Sequence, residues 1–176
     1  VSGELLATIK RHVRAGRKVY VTGHSQGGGL ACITVAAMRA MSKVTDNCLY
    51  RAAGLITFGC LRPGNAAFCD YVTKSIICIP SAGEFGVQRY RNNNDIVPLL
   101  PFYTRGYRHC GDELYIWPHS AVTRNPCWPV KLAQHVIPYL HGVYGDGLRD
   151  HAMTEYLKHI EVIQIPEPGT SDATEK

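Results

Sequence analysis

The pentapeptide Gly23-His24-Ser25-Gln26-Gly27 constrains this chain more than any other feature. A short β-branched run, Lys18 to Thr22, precedes it, and Leu30, Ile33, Ala37 and Met41 follow at helical spacing. A serine between a strand and a helix sits on a sharp turn that lifts its hydroxyl above the sheet. Gly23 and Gly27 are expected to make that turn sterically possible. The plainer alternative is a glycine-rich turn with an ordinary serine. A phosphate-binding loop fits worse, because the lysine and the glycine spacing it needs are absent.

The flanking pattern extends this unit into a fold class. Glu4 to Gly16 places Leu5, Leu6, Ile9 and Val13 on one helical face, with Gly16 as a stop signal. Leu55 to Phe58 reads as a buried strand. Ala66 to Thr73 reads as a helix after the turn residues Pro63, Gly64 and Asn65. Val87 to Arg91 is a further strand ending in the polar turn Asn92 to Asp95, and Glu113 to Trp117 another. Strands alternating with helices predict an α/β fold with a mostly parallel sheet and flanking helices. Ser120 to Gly147 is rich in proline and glycine, which predicts loops around one short helix, and Asp150 is placed to cap a helix through Leu157. The expected division is one domain over 1–165 and a flexible tail over 166–176.

Composition removes several classes of function. Of the 176 residues, 45% are apolar and 19% charged, which is globular rather than disordered composition. The net charge of +5 is too small to imply nucleic acid. Leu30 to Met38, the longest strongly apolar stretch, is less than half the length of a membrane span. The opening segment carries charges where a signal peptide has its apolar stretch, and Val1 is not an initiator Met, so the chain looks processed or excised. Seven cysteines leave at least one unpaired within the chain, and no CxxC spacing suggests zinc or a redox pair. The basic stripe Lys10, Arg11, Arg14 and Lys18 reads as a solvated helix face. His109-Cys110 reads as a structural pair rather than a thiol nucleophile with its base.

A serine nucleophile needs a base to take its proton and a carboxylate to orient the base. In nucleophile-elbow folds these follow the serine in the order acid, then histidine. Asp95 lies just past a strand end, where α/β proteins gather functional groups. His151 lies near the end of the chain, with His135, His141 and His159 as rivals. Five blocks, VYVTGHSQGG, LITFGCLRPGNAAF, RYRNNNDIVPLLP, HCGDELYIW and RDHAMTEYL, occur in this order between Val19 and Leu157 and resemble the class 3 (fungal-type) triacylglycerol lipases of the α/β-hydrolase superfamily.

The resemblance implies Ser25 as nucleophile, Asp95 of the DIVP block as orienting acid and His151 of the DH block as base. It also implies Gln26 as the residue whose backbone amide is one oxyanion donor. Arg62, Gly64 and Asn65, in a block with its proline displaced by two positions, are expected to shape the loop beside the site. Gln26 stands where these lipases most often have leucine, which suggests a more polar acyl pocket. The upstream strands, the second oxyanion donor and the lid have no room before Lys18, so the chain looks like the C-terminal part of the catalytic domain.

The expected activity is a serine carboxylic-ester hydrolase cleaving acylglycerols or related lipid esters at an interface through an acyl-enzyme. That chemistry requires no metal or organic cofactor and no nucleic-acid partner. Secretion is compatible with the resemblance. The alternative is a catalytically incomplete lipase-like fragment, or a module that binds lipid or a partner without turnover.

Overall fold

Parallel strands cannot be joined by a tight turn, so a parallel neighbour has to be reached by a crossover. Two such units follow the opening helix α1 (Gly3–Arg14). β1 (Tyr20–His24) leads through α2 (Gln26–Val44) to β2 (Gly54–Phe58), which leads through α3 (Ala66–Thr73) to β3 (Val87–Asn92). A loop with 3-10 turns at Val97–Leu99 and Tyr103–Arg105 then feeds β4 (Asp112–Ile116). β5 (Val122–Arg124), α4 (Asp146–Arg149) and α5 (Met153–Val162) complete the order. The structure is a computed structural model that describes residues 3–44, 50, 52–76, 86–118, 120–127, 129 and 146–162.

The strands form one sheet in the order β1-β2-β3-β4-β5. The first three pairings are parallel, with Tyr20 opposite Gly54, Leu55 opposite Val87 and Gln88 opposite Asp112. β5 alone runs antiparallel, with Tyr115 opposite Thr123. It was not expected from the sequence, because three residues are too few to show an alternation. On β3 and β4 the register also sets Arg89 against Glu113, and the two side chains form an ion pair at 3.2 Å.

The core lies between the sheet and its helices. Leu55 and Val72 are fully buried, and Val35, Met38, Ala31 and Cys32 of α2 pack with them. Each large aliphatic side chain contributes roughly 1.5–3 kcal/mol by leaving water. The face that α2 buries is not centred on the stripe Leu30, Ile33, Ala37 and Met41, of which Met41 packs against the core. Leu30 and Ile33 are about half exposed, whereas Gly28, Ala31, Cys32, Val35, Met38 and Ser42 face inward. Small residues on the inner face let α2 lie close to the sheet, and apolar spacing alone did not separate the two faces. α3 begins where the sequence places it, with the Asn65 side chain accepting the Phe68 amide at 2.9 Å.

β1 starts two residues later than expected and extends to His24, directly against the serine. The expected helix from Asp150 begins instead at Met153, as α5, and the short helix α4 precedes Asp150. Most of Ser120 to Gly147, including His135 and His141, lies outside the described residues, as does the tail over 166–176. Among the described residues no helix is long and apolar enough to cross a membrane.

Candidate active site

The turn at Ser25 is as sharp as its neighbours require. Ser25 has φ 58°, a left-handed conformation that costs an L-residue roughly 1–2 kcal/mol, and its amide is fixed by donating to the Phe58 carbonyl at 2.9 Å. A Cβ on Gly23 would stand 2.2 Å from the Gly27 carbonyl oxygen, so only glycine fits there. Gly27 itself faces open space. The second close approach is at Gly28, where a Cβ would stand 2.8 Å from the Cys60 Cβ. The expectation that Gly27 makes room for the turn is therefore corrected: the crowded positions are Gly23 and Gly28. Gln26 is the exposed first residue of α2, and amides in a first helical turn have no carbonyl one turn behind to bond.

Three side chains meet over the carboxyl ends of β1 and β3. The Ser25 Oγ lies 2.8 Å from the His151 Nε2, although the two residues are 126 positions apart. The His151 Nδ1 lies 3.0 Å from both oxygens of Asp95, which is fully buried. A carboxylate only accepts, so Nδ1 carries the proton and Nε2 turns its lone pair toward the serine hydroxyl. His159, the described rival, is elsewhere, with its Nδ1 2.8 Å from the Ser120 Oγ.

Further groups hold this arrangement. The Asp95 Oδ1 accepts the Val97 amide at 2.9 Å and the Oδ2 accepts the Tyr156 hydroxyl at 2.6 Å. Tyr156 is fully buried on α5 and in turn accepts the Asn92 amide at 3.0 Å. Burial first, and the Asp95 charge second, push its hydroxyl well above the usual tyrosine range, so it stays a donor. Sequence reasoning missed Tyr156. The available signal was a tyrosine at an apolar helical position, since a buried hydroxyl needs a partner.

His24 donates from Nε2 to the His151 carbonyl at 2.7 Å, and the two rings stack with centroids 4.6 Å apart. Gly59 has φ 55°, and a Cβ there would stand 2.7 Å from the Asp95 Oδ2 and 2.9 Å from the His151 ring.

Asp150 sits ahead of α5, not at its cap. Its carboxylate accepts from the Asn93 side chain and the Asn94 amide, both at 3.2 Å, and its carbonyl accepts from the Asn92 side chain at 3.1 Å. These bonds tie the His151 segment to the turn that carries Asp95. Arg62 donates to the carbonyls of Leu99 and Pro101, the latter at 2.6 Å, and so pins the segment after Asp95 to the loop leaving β2. Gly64 bridges to Arg108, and Asn65 caps α3. Cys32, Cys60, Cys69 and Cys110 are buried free thiols, and burial raises the Cys69 thiol, the reverse of what a nucleophile needs. Among the described residues no cluster of His, Cys, Asp or Glu is arranged to hold a metal ion.

Residues 1–105 match the sequence model of the family described as Lipase (class 3). The chain belongs to the class 3 lipase family. Among class 3 lipases and their kin, it is 33% identical over 119 residues to a secreted mono- and diacylglycerol lipase from Fusarium solani, an alignment covering 64% of this chain and 31% of that one. The solved structure of Rhizomucor miehei lipase with its propeptide superposes with a TM-score of 0.57 at 31% identity, covering 73% of this chain and 38% of that one. A triacylglycerol lipase structure, described as having a serine-protease triad at its catalytic centre, superposes with a TM-score of 0.52 at 32% identity, covering 69% and 42%. The class 3 lipase chain described here has the α/β-hydrolase fold of these neighbours and spans about a third of the curated relative's length.

Proposed function

We propose that this chain carries the nucleophile, base and orienting acid of a serine carboxylic-ester hydrolase acting on acylglycerols or related lipid esters. The observation that carries the reading is the continuous path from the Ser25 Oγ through the His151 imidazole to Asp95, with separations of 2.8 and 3.0 Å. The Ser25 oxygen attacks the ester carbonyl as its proton passes to the His151 Nε2. The imidazolium then gives that proton to the departing alcohol oxygen, leaving an acyl-serine. Water, deprotonated by the same nitrogen, attacks the acyl carbon and frees the acid. Asp95 keeps the proton on Nδ1 and balances the charge of the imidazolium.

The negative oxygen of the tetrahedral intermediate needs donors, and the Gln26 amide at the start of α2 is the one assigned here. A single missing donor lowers turnover by about 10² to 10³, so labelling is a more direct test than substrate hydrolysis. Residues 1–165 are taken as the corresponding part of the catalytic domain. The names of the relatives, lipases for mono-, di- and triacylglycerols, support the substrate class.

The test is intact-mass detection of fluorophosphonate labelling on the folded chain, with folding checked by circular dichroism. One adduct, absent in Ser25→Ala and strongly slowed in His151→Ala, is the expected result. A folded chain that takes no adduct would reject the reading in favour of a non-catalytic lipase-like module.

A further inference from the structure

Asp95 holds the His151 imidazole by one atom, the Nδ1, and one atom does not fix a ring. The torsion that turns a histidine ring is broad, so the imidazole can still roll about the line to the carboxylate. Rolling carries its Nε2 off the Ser25 hydroxyl, and proton transfer needs hydrogen-bond reach. The backbone gives little help. His151 lies in the turn between α4 and α5, outside both helices. The Glu155 amide, four residues on, bonds the Ala152 carbonyl at 3.0 Å and not the His151 carbonyl.

His24 supplies both restraints. Its Nε2 donates to the His151 carbonyl at 2.7 Å, which places the backbone that carries the base. Its ring stacks on the His151 ring with centroids 4.6 Å and planes 28° apart, which sets the plane of the imidazole. Gly59 closes in on the Nδ1 and Cε1 of the same ring, where a Cβ would stand at 2.9 Å. The Tyr156 ring, whose hydroxyl holds Asp95, meets the His24 ring edge-on at 6.0 Å. A glutamine could make the bond and a phenylalanine the stack; histidine does both from one position.

We propose that His24 is the positioning residue for the base, fixing the carbonyl and the ring plane of His151 so that its Nε2 stays on the Ser25 Oγ. The proposal rests on the reading of the site as an esterase and deepens it by assigning the residue that aims the imidazole. The nucleophile and the brace for its base then leave the end of β1 at consecutive positions, whereas the base comes 127 positions after its brace.

Two readouts on the full chain test this, with folding checked by circular dichroism and Tm. One is the rate of fluorophosphonate labelling at Ser25. The other is the proton resonance of the His151 Nδ1–H, which bonding to a carboxylate moves downfield and which is recorded in the Ser25→Ala background, where no labelling chemistry intervenes. His24→Ala should slow labelling about ten- to a hundredfold, the scale of a misplacement near 1 Å, and should shift or broaden the resonance. His24→Gln and His24→Phe should each fall between the parent and His24→Ala, because each keeps one of the two restraints. They carry the test if His24→Ala does not fold.

A histidine that matters only for stability would lower the Tm and leave the labelling rate and the resonance of the folded chain unchanged. That result in His24→Ala, or in both half-variants, overturns the proposal. The two readings also fail differently. A parent chain that labels, with no slowing in the folded His24 variants, rejects the brace and keeps the esterase. A parent chain that does not label, but whose downfield proton is lost in His24→Ala, keeps the brace and rejects the esterase.

Discussion

Asp95 accepts from the Val97 amide, the Tyr156 hydroxyl and the His151 ring, so its two oxygens have little freedom to turn. Tyr156→Phe removes one donor to a buried charge and leaves the Asn92 amide facing a ring edge. The expected cost is about 1.5–3 kcal/mol of stability, seen as a lower Tm, together with slower fluorophosphonate labelling of Ser25. A purely structural tyrosine would lower the Tm and leave the labelling rate unchanged. Gly59→Ala should be harsher, since it adds a Cβ to a left-handed residue at 2.7 Å from the Asp95 Oδ2; a folded variant that labels as fast as the parent would contradict this. His151 lies within hydrogen-bond reach of both Ser25 and Asp95, and all three could be named because the order serine, acid, histidine and the block spellings are legible in the chain. Tyr156 was not legible, since nothing in a one-dimensional pattern says that a helical tyrosine meets a carboxylate 61 positions earlier.

At the level of elements, the loop from β3 to β4 is held in part by a histidine whose contact does not tolerate acid. His109 donates from Nε2 to the Pro98 carbonyl at 2.8 Å, and its Nδ1 is buried without a partner. Burial first, then the Arg89 charge, lowers its pKa from 6.5 to about 3. Between those values the unfolded chain binds a proton that the folded chain refuses, so stability falls as pH drops from 6.5 toward 3 and returns as pH rises. His109→Gln keeps a donor for Pro98 and removes the titration. Its Tm should fall less than the parent's between neutral pH and pH near 4, and parallel curves would refute the assignment. The strands and helices of the two crossover units were legible because each is a whole turn or strand with clear punctuation. β5 was not, and neither was the inward face of α2, where Val35 and Met38 pack beside glycine, alanine and cysteine while Leu30 and Ile33 stay half exposed.

In the molecule as a whole, β1 is paired on one side only among the described strands, and its own Tyr20 and Leu30 of α2 stand partly open. An unpaired edge is a template for another strand. Sedimentation velocity should therefore show association that grows with concentration, and Thr22→Lys, an exposed position on that edge, should reduce it; a chain that stays monomeric throughout would remove the argument. The separation of Ser25 from His151 has a different consequence, one for biosynthesis. A ribosome releases the elbow long before it releases the segment with the imidazole. The segment with the imidazole is tied to the turn after β3 through Asp150, so under the proposed reading the serine has its base only once that contact forms. On the proposed mechanism, a chain that has released Ser25 has no base for it until 126 further residues have been made.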